Sequence, residues 1–130
     1  MNILQPPGWP RPKGYSNGIS ASGRTIYTAG VIGWNEREMM VSHRLDLQFE
    51  QVLKNIVAIL AEGGAKPEHV VRMTVYITDR PAYLKLRDEL VPIWKSIMGN
   101  QYPAMALVEV AGLVNQSALV EIEATAVVPE

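Results

Sequence analysis

Two stretches near the C-terminus alternate apolar and polar side chains with a period of two residues. They span residues 104–111 and 119–127, and the glycine- and asparagine-containing residues 112–116 separate them. This period is typical of strands that are buried on one face, because successive side chains of a strand point to opposite sides. Glu121 and Glu123 therefore share one face of the second strand, where both carboxylates are held in the same direction.

An amphipathic helix is predicted over residues 43–62. Its apolar stripe consists of Leu45, Phe49, Val52, Ile56, Ile59 and Leu60. These residues recur at helical spacing, while charged residues occupy the other side. Ser42 is suited to cap the first turn, and Gly63 with Gly64 is suited to end the helix.

A second helix is predicted from Arg80 to about Met98. Its apolar side consists of Tyr83, Leu84, Leu86, Leu90, Ile93, Trp94 and Ile97. Pro81 suits the first turn, where its missing N–H is not needed. Pro92 lies inside the pattern and predicts a kink or a break there.

The remaining apolar stretches predict three more strands. Residues 16–22 and 25–32 flank Gly23-Arg24 as a hairpin would, and residues 70–78 form an apolar strand between the two helices. Gly30 lies within the second of these strands, which predicts a bulge or a close approach to the backbone. The element order ββαβαββ indicates an α+β fold, with two helices on one face of a mixed sheet, in a single domain over residues 1–130.

Residues 5–15 form a proline-rich arm that contains Trp9. Proline restricts itself and its predecessor to extended conformations, so this segment is predicted to be an ordered coil. Two interpretations stay open: a strap packed on the domain, or an arm that contacts substrate.

Composition excludes several classes of protein. Hydrophobic residues make up 48% and charged residues 19%, which is typical of a globular domain. The net charge of −1 does not favour a nucleic-acid-binding surface. The chain has no cysteine and no apolar run long enough to span a membrane, and its first residues predict no secretory signal, so a cytoplasmic protein is expected.

Few residue patterns in the chain indicate chemistry. The two histidines, His43 and His69, have no partner at metal-ligand spacing, and no phosphate-binding glycine motif occurs, so neither a metal nor a nucleotide site is predicted. The strand carboxylates Glu109, Glu121 and Glu123 are either rim charges paired with basic residues or groups that position a reactant. Glu121 is the first candidate, because a carboxylate near the middle of a strand can position or activate water.

Several strings of the sequence, in order, resemble the RidA/YjgF family. They are GYSNG at 14–18, TAGVIG at 28–33, AEGGA at 61–65, VVRMTVYITD at 70–79, YPAMALVEVA at 102–111 and VEIEATA at 120–126. The resemblance runs over nearly the whole chain. It implies a chorismate-mutase-like fold and a homotrimer with clefts between subunits. It also implies binding of small carboxylates and, in active members, cofactor-free hydrolysis of enamines and imines to oxo acids and ammonia.

The same resemblance assigns roles to individual residues. Tyr15 matches the tyrosine that closes over the ligand, Gly30 the glycine whose backbone lines the cleft, and Glu121 the glutamate linked to the water. Met105 stands where the family has the arginine that binds the substrate carboxylate. Leu107 and Val31 replace two further polar positions of the family's cleft.

These replacements predict a more apolar cleft for a larger or less charged ligand, such as a conjugated acid of the 2-aminomuconate type. Methionine makes no charge-assisted hydrogen bond to a carboxylate. Arg87, at a position where the family often has a polar ligand-facing side chain, is the first candidate for the missing cation, with Arg24 and Arg72 behind it. The alternative for Arg87 is a solvated helix residue.

Two hypotheses of function follow: a hydrolytic enamine/imine deaminase in which Glu121 directs the water, or a non-catalytic small-molecule-binding protein on the same scaffold. A nuclease is not favoured by the charge balance. A small-molecule carboxylate or imine is the expected ligand, with no nucleic-acid or membrane partner.

Overall fold

The computed structural model describes residues 1–130. The chain forms two helices, α1 (Leu45–Glu62) and α2 (Arg80–Met98), and a 3-10 turn at Pro67–His69. Its strands are β1 (Asn2–Ile3), β2 (Ile19–Ser20), β3 (Arg24–Tyr27), β4 (Val31–Ile32), β5 (Val70–Ile77), β6 (Ala104–Glu109) and β7 (Val120–Val128).

The main sheet has the order β3-β7-β5-β6, and β4 pairs with β7 beyond the end of β3. Strand β7 is antiparallel to β3, β4 and β5, whereas β5 and β6 run parallel and are connected through α2. Met73, Val75 and Ile77 of β5 are buried against the helices, and the residues between them point to the other face. That other face, which neither helix covers, is called the open face below. The predicted α+β fold with two helices on one face of a mixed sheet is confirmed.

The two helices contribute unequally to the core. Helix α1 buries a full stripe, whose fully buried members are Val52, Leu53, Ile56 and Leu60. Helix α2 buries only Leu90, Trp94 and Met98, all in its second half. The first half of α2 therefore keeps part of its apolar face free of core packing, beside the edge strand β6.

The predicted hairpin around Gly23-Arg24 is wrong. Strand β2 pairs with β1, and β3 pairs with β7 instead. The backbone at Gly23 has φ 145°, and a Cβ there would lie 2.2 Å from the carbonyl oxygen of Val128. The glycine thus allows close contact with the end of β7, and pairing with that distant strand takes the place of a local hairpin.

The predicted strand over residues 25–32 is interrupted by a bulge. Between β3 and β4 the chain takes four residue steps, from Tyr27 to Val31, where β7 takes three, from Thr125 to Ile122. The hydroxyl of Thr28 accepts a hydrogen bond from the backbone N–H of Ala124 at 3.0 Å. One extra residue in one strand of a pair is the definition of a β-bulge, and here it places Gly30 beside β7.

The helix boundaries show that the predicted Ser42 cap is wrong and that α2 has no break at Pro92. Ser42 does not cap α1, which begins at Leu45; its hydroxyl accepts a hydrogen bond from the N–H of Arg44 at 3.0 Å in the preceding turn. Pro92 does not break α2, which continues to Met98. At the start of α2, Asp79 caps the N–H of Ala82, as a helix with proline in its first turn favours. Neither helix is long and apolar enough to cross a membrane.

The N-terminal arm is held at its base. Leu4 donates to the carbonyl oxygen of Gly18 at 2.9 Å, and the amide of Asn17 donates to Gln5 at 2.9 Å. Trp9, at the far end of the arm, is 60% exposed. Within this chain the tryptophan is therefore not packed on the domain, as the strap interpretation requires.

Candidate functional site

A cleft of about 750 Å³ lies between the first half of α2, the edge strand β6 and residues 13–15 of the arm. Five aromatic rings contribute to its walls: Tyr15, Phe49, Tyr83, Trp94 and Tyr102. Four of the predicted ligand-binding residues also line it: Tyr15, Arg87, Met105 and Leu107. A pocket of this size with mostly apolar walls is suited to a small organic ligand.

Strand register directs Met105 and Leu107 into the cleft. They pair with Met73 and Val75 of β5, whose side chains are buried on the helix side of the sheet. Cross-strand partners project to the same face, so the two β6 residues face α2. Because β6 is an edge strand, its helix-side residues are only partly covered and remain available to a ligand.

On the opposite wall, α2 presents Tyr83, Arg87 and Trp94 along one side, at spacings of four and seven residues. Such spacings repeat about every turn of an α-helix. The apolar stripe of the sequence places Tyr83 and Trp94 on the core side of this helix, whereas both also line the cleft. The spacing of Tyr83 and Trp94 from Arg87 was the sequence signal from which all three residues could have been predicted to line the cleft.

The arm reaches the cleft through Ser16, a buried residue that sequence analysis did not select. Its N–H donates to the carbonyl oxygen of Pro103 at 3.0 Å, and its hydroxyl donates to that of Tyr102 at 2.6 Å. The ring of Tyr102 stacks on Trp94 with centroids 5.8 Å apart. These contacts connect the arm to the start of β6 and hold Tyr15 over the cleft.

The cleft has a net positive lining. Lys13, Arg87 and Lys95 are its cations and Asp88 is its one acid. None of these four takes part in the chain's two ion pairs, Arg44–Asp46 and Lys54–Glu50. Burial raises the pKa of Tyr83, an effect that the charge of neighbouring Arg87 opposes. The hydroxyl of Tyr83 therefore stays protonated near neutral pH, and the cleft favours an anionic ligand with a large apolar part.

Glu121 lies elsewhere, on the open face. It pairs with Ile32 on β4 and with Tyr76 on β5, whose side chain points away from the helices. Its carboxylate rests against Gly30: a Cβ at that glycine would lie 2.7 Å from Oε2 of Glu121. The carboxylate accepts no hydrogen bond within the chain, so it is available to water or to a ligand.

The neighbouring carboxylate of Glu123 is already engaged, because the hydroxyl of Tyr76 donates a hydrogen bond to it. Val31 pairs with Ile122 and is buried in the helix-side core, so its side chain lies in neither the cleft nor the open face.

Within the chain, the cleft and Glu121 are on opposite faces of the sheet. Strand β5 separates β6 from β7, which adds two interstrand spacings, about 10 Å. The predicted residues thus divide into two groups. Tyr15, Arg87, Met105 and Leu107 lie in the cleft, and Gly30 and Glu121 lie on the open face.

The other candidate residues, Arg24, Arg72 and Glu109, do not line the cleft. Arg24 donates to the carbonyl oxygen of Gly63 at the end of α1, at 2.7 Å. Arg72 lines a smaller cavity of about 380 Å³ beside Thr125 on the open-face side. Glu109 accepts a hydrogen bond from the N–H of Arg80 at the start of α2, at 2.7 Å.

Neither histidine lies in the cleft. His69 uses Nδ1 to accept the N–H of Lys66 at 2.9 Å, which is a turn contact. No three His, Cys, Asp or Glu side chains are close enough together to hold a metal ion.

The chain is similar in sequence to a known protein family and to individual proteins of other organisms. The family model described as Endoribonuclease L-PSP matches residues 10–128. A RutC family protein of Synechocystis sp. is 34% identical over 137 residues, covering 99% of this chain and 98% of the relative. A protein of Dermatophagoides farinae named 2-iminobutanoate/2-iminopropanoate deaminase is 31% identical over 128 residues, covering 97% and 95%.

The fold is shared with solved structures. A Rid family protein of Yersinia pestis, YyfB, has a TM-score of 0.85 and 32% sequence identity, and the match covers 98% of each chain. The alignment thus spans the segments that form the α2–β6 cleft and those that form the open face.

Proposed function

Because the chain belongs to the RidA/YjgF family, which the Endoribonuclease L-PSP model describes, we propose that it is a hydrolytic deaminase of a reactive enamine or imine. The products are an oxo acid and ammonia. The observation that carries the proposal is the carboxylate of Glu121, fixed against Gly30 and free of any hydrogen-bond donor in its own chain.

The reaction is simple enough for such a group. Water adds to the sp² carbon of the C=N bond, and Glu121 accepts its proton. Glu121 returns this proton to the nitrogen, which gives the carbinolamine. A second proton then passes from the carbinolamine hydroxyl to the nitrogen, the C–N bond breaks, and the oxo group forms as ammonia leaves. A carboxylate on a strand cannot swing far, so it holds the water in one orientation.

The complete site requires two copies of the chain. Glu121 and Gly30 lie on the open face, and the ligand cleft lies on the helix side about 10 Å away across the sheet. In a homotrimer, the open-face group of one subunit would meet the cleft of the next. Each subunit would then bind substrate in its own cleft and supply the water-directing carboxylate to its neighbour.

Arg87 is proposed to bind the substrate carboxylate in place of the arginine that Met105 replaces. It lines the same cleft as Met105 and has no acidic partner. A lost charge-assisted hydrogen bond typically costs about 1.5–3 kcal/mol, or about ten- to a hundredfold in affinity. A cation on α2 recovers part of that affinity from the opposite wall of the cleft.

The size and chemistry of the cleft favour a substrate larger than an aminoacrylate. A cavity of about 750 Å³ with five aromatic rings has room for an elongated planar acid. Aromatic side chains stack on planar conjugated groups. A conjugated imino or enamino acid of the 2-aminomuconate type fits these walls.

Ammonia release tests the proposal. Enamines and imines generated in situ, with small, conjugated and aryl side chains, are incubated with the protein and compared with the uncatalysed rate. We expect the fastest release from the larger planar acids. Glu121→Gln should lower turnover at least about tenfold, since acid–base help is typically worth 10²–10⁴-fold. Glu89→Gln, on the exposed side of α2 and outside the cleft, serves as the control.

One observation favours a second function, a small-molecule-binding protein. The cleft is lined by fifteen residues of one chain, and Asp88 is the one carboxylate among them, whereas Glu121 lies on the other face of the sheet. If the protein bound conjugated carboxylates, measured by quenching of tryptophan fluorescence, yet released no ammonia from any imine, the binding function would replace the deaminase.

A further inference from the structure

The open face carries a cluster of three polar side chains around Glu121. Tyr76 stands directly opposite Glu121 in the antiparallel pair β5–β7, and Thr74 stands opposite Glu123. The hydroxyl of Tyr76 nevertheless donates to Glu123, its diagonal neighbour. Diagonal cross-strand neighbours are within reach of an aromatic side chain, so the tyrosine spans both glutamates.

This arrangement separates two carboxylates that the sequence makes equivalent. Glu121 and Glu123 share one face of β7, about 7 Å apart along the strand. Glu123 has the tyrosine donor, and Glu121 has none. The hydrogen bond to Glu123 is the largest cause that raises the pKa of Tyr76, so the tyrosine keeps its proton and remains a donor.

The same tyrosine confines Glu121. Cross-strand partners have Cβ atoms about 5 Å apart, so the side chain of Tyr76 stands beside Glu121 on the β5 side. On the β4 side the bulge brings Gly30 against the carboxylate. Glu121 is therefore bounded from two neighbouring strands.

We propose that Tyr76 is a positioning residue for Glu121: it holds Glu123 away and restricts the water-directing carboxylate to one orientation. This inference rests on the proposed deaminase function. If the hydrogen bond were lost, the Glu123 carboxylate would take several orientations, and its varying repulsion would move the like-charged Glu121 out of line with the substrate.

Two variants and their combination test the proposal through steady-state kinetics on the best imine found. Tyr76→Phe keeps the ring but removes the donor. We expect kcat to fall about tenfold with KM nearly unchanged, because Tyr76 lies outside the binding cleft. Adding Glu123→Ala removes the released carboxylate and should restore most of kcat. The proposal would be overturned if the effects of Tyr76→Phe and Glu123→Ala on kcat simply added, or if Tyr76→Phe had wild-type kcat. Either result would leave the deaminase function intact.

A second measurement does not depend on activity. Protein labelled with ¹³C at the glutamate carboxyl carbons gives one resonance for each glutamate, assigned with Glu121→Gln and Glu123→Gln. In Tyr76→Phe we expect both resonances to shift or broaden, and in the double variant we expect the Glu121 signal to return. A Glu121 signal that ignores Tyr76→Phe refutes the positioning role. Absence of ammonia release from every imine would instead refute the proposed function alone.

Discussion

A Cβ atom placed on Gly30 would lie 2.7 Å from Oε2 of Glu121, closer than such atoms approach in folded proteins. The bulge between β3 and β4 brings this glycine to the carboxylate, so the side chain of Glu121 has its backbone as one wall. No positive φ is needed at Gly30, and alanine would be tolerated there by the backbone but not by the carboxylate.

Gly30→Ala is therefore expected to displace Glu121 and to reduce turnover about tenfold or more, while the melting temperature changes little. Gly112→Ala is the matched control, because a Cβ at that glycine meets no atom within 4 Å. Ammonia release and thermal melting on both variants check the prediction. Equal turnover in the two variants would mean that Glu121 can move without cost.

Arg87→Ala is expected to weaken binding of conjugated carboxylates about tenfold or more through loss of a charge-assisted hydrogen bond. Lys85→Ala removes a cation from the same helix outside the cleft and should leave affinity unchanged. Fluorescence titration measures both. If the two variants bind equally well, Arg87 is a solvated surface residue. Met105→Arg should in turn raise activity on small 2-imino acids.

We expect a homotrimer of three 14.4 kDa chains, measurable by light scattering. The division of the site between two faces gives a sharper test. Glu121→Gln and Arg87→Ala trimers should each be weakly active, whereas trimers re-formed from a mixture should regain activity, because some sites then combine an intact cleft with an intact carboxylate. A mixture no more active than its components would contradict a shared site.

Gln48 is predicted to be critical for stability. It is fully buried, donates to the carbonyl oxygens of Ser42 and Ser117 at 2.9 Å, and accepts the N–H of Leu119 at 2.8 Å. Gln48→Met leaves these backbone groups unpaired and should lower the free energy of unfolding by about 2–4 kcal/mol. Gln116→Met, at an exposed position, should have little effect in the same urea titration.

Alkaline pH should destabilise the fold through Tyr76 and Tyr83. The hydrogen bond and charge of Glu123 raise the pKa of Tyr76, and burial raises that of Tyr83, both from 10.0. The folded state therefore binds these protons more tightly than the unfolded state. Their contribution is complete below pH 10 and is lost as pH rises through the raised values. In urea titrations between pH 9 and about 11.5, the free energy of unfolding should decline less in Tyr76→Phe than in the wild type. An equal decline would show that Tyr76 does not contribute to the pH dependence.

The fold was predictable wherever local periodicity and tertiary pairing agree. The two helices and the strands over residues 70–78 and 119–127 have strong periods, and the structure confirms them. The Gly23-Arg24 hairpin failed because a turn signal is local, whereas the strand after it pairs with β7, about a hundred residues later. Side-chain propensity alone gives no information on which of two partners a strand will choose.

The site was predictable by residue but not by location. Alternation along β7 placed Glu121 and Glu123 on one face. The mid-strand position favoured Glu121, and the family resemblance then assigned it a role. Their unequal hydrogen bonding depends on Tyr76, whose register opposite Glu121 is fixed only by the pairing of β5 with β7. Similarly, the aromatic wall of the cleft consists of helix residues that an apolar stripe cannot distinguish from core.

The central position of β7 also bears on how the protein is made. This strand, the last in the chain, pairs with β3, β4 and β5, so the earlier strands have no common neighbour until it is synthesised. A ribosome-bound chain that ends before residue 120 would expose the apolar sides of α1 and α2 and the unpaired edge of β5. Such exposed surfaces favour aggregation and chaperone binding. The sheet is thus expected to form only once β7 has been synthesised, because β7 joins strands from both halves of the domain.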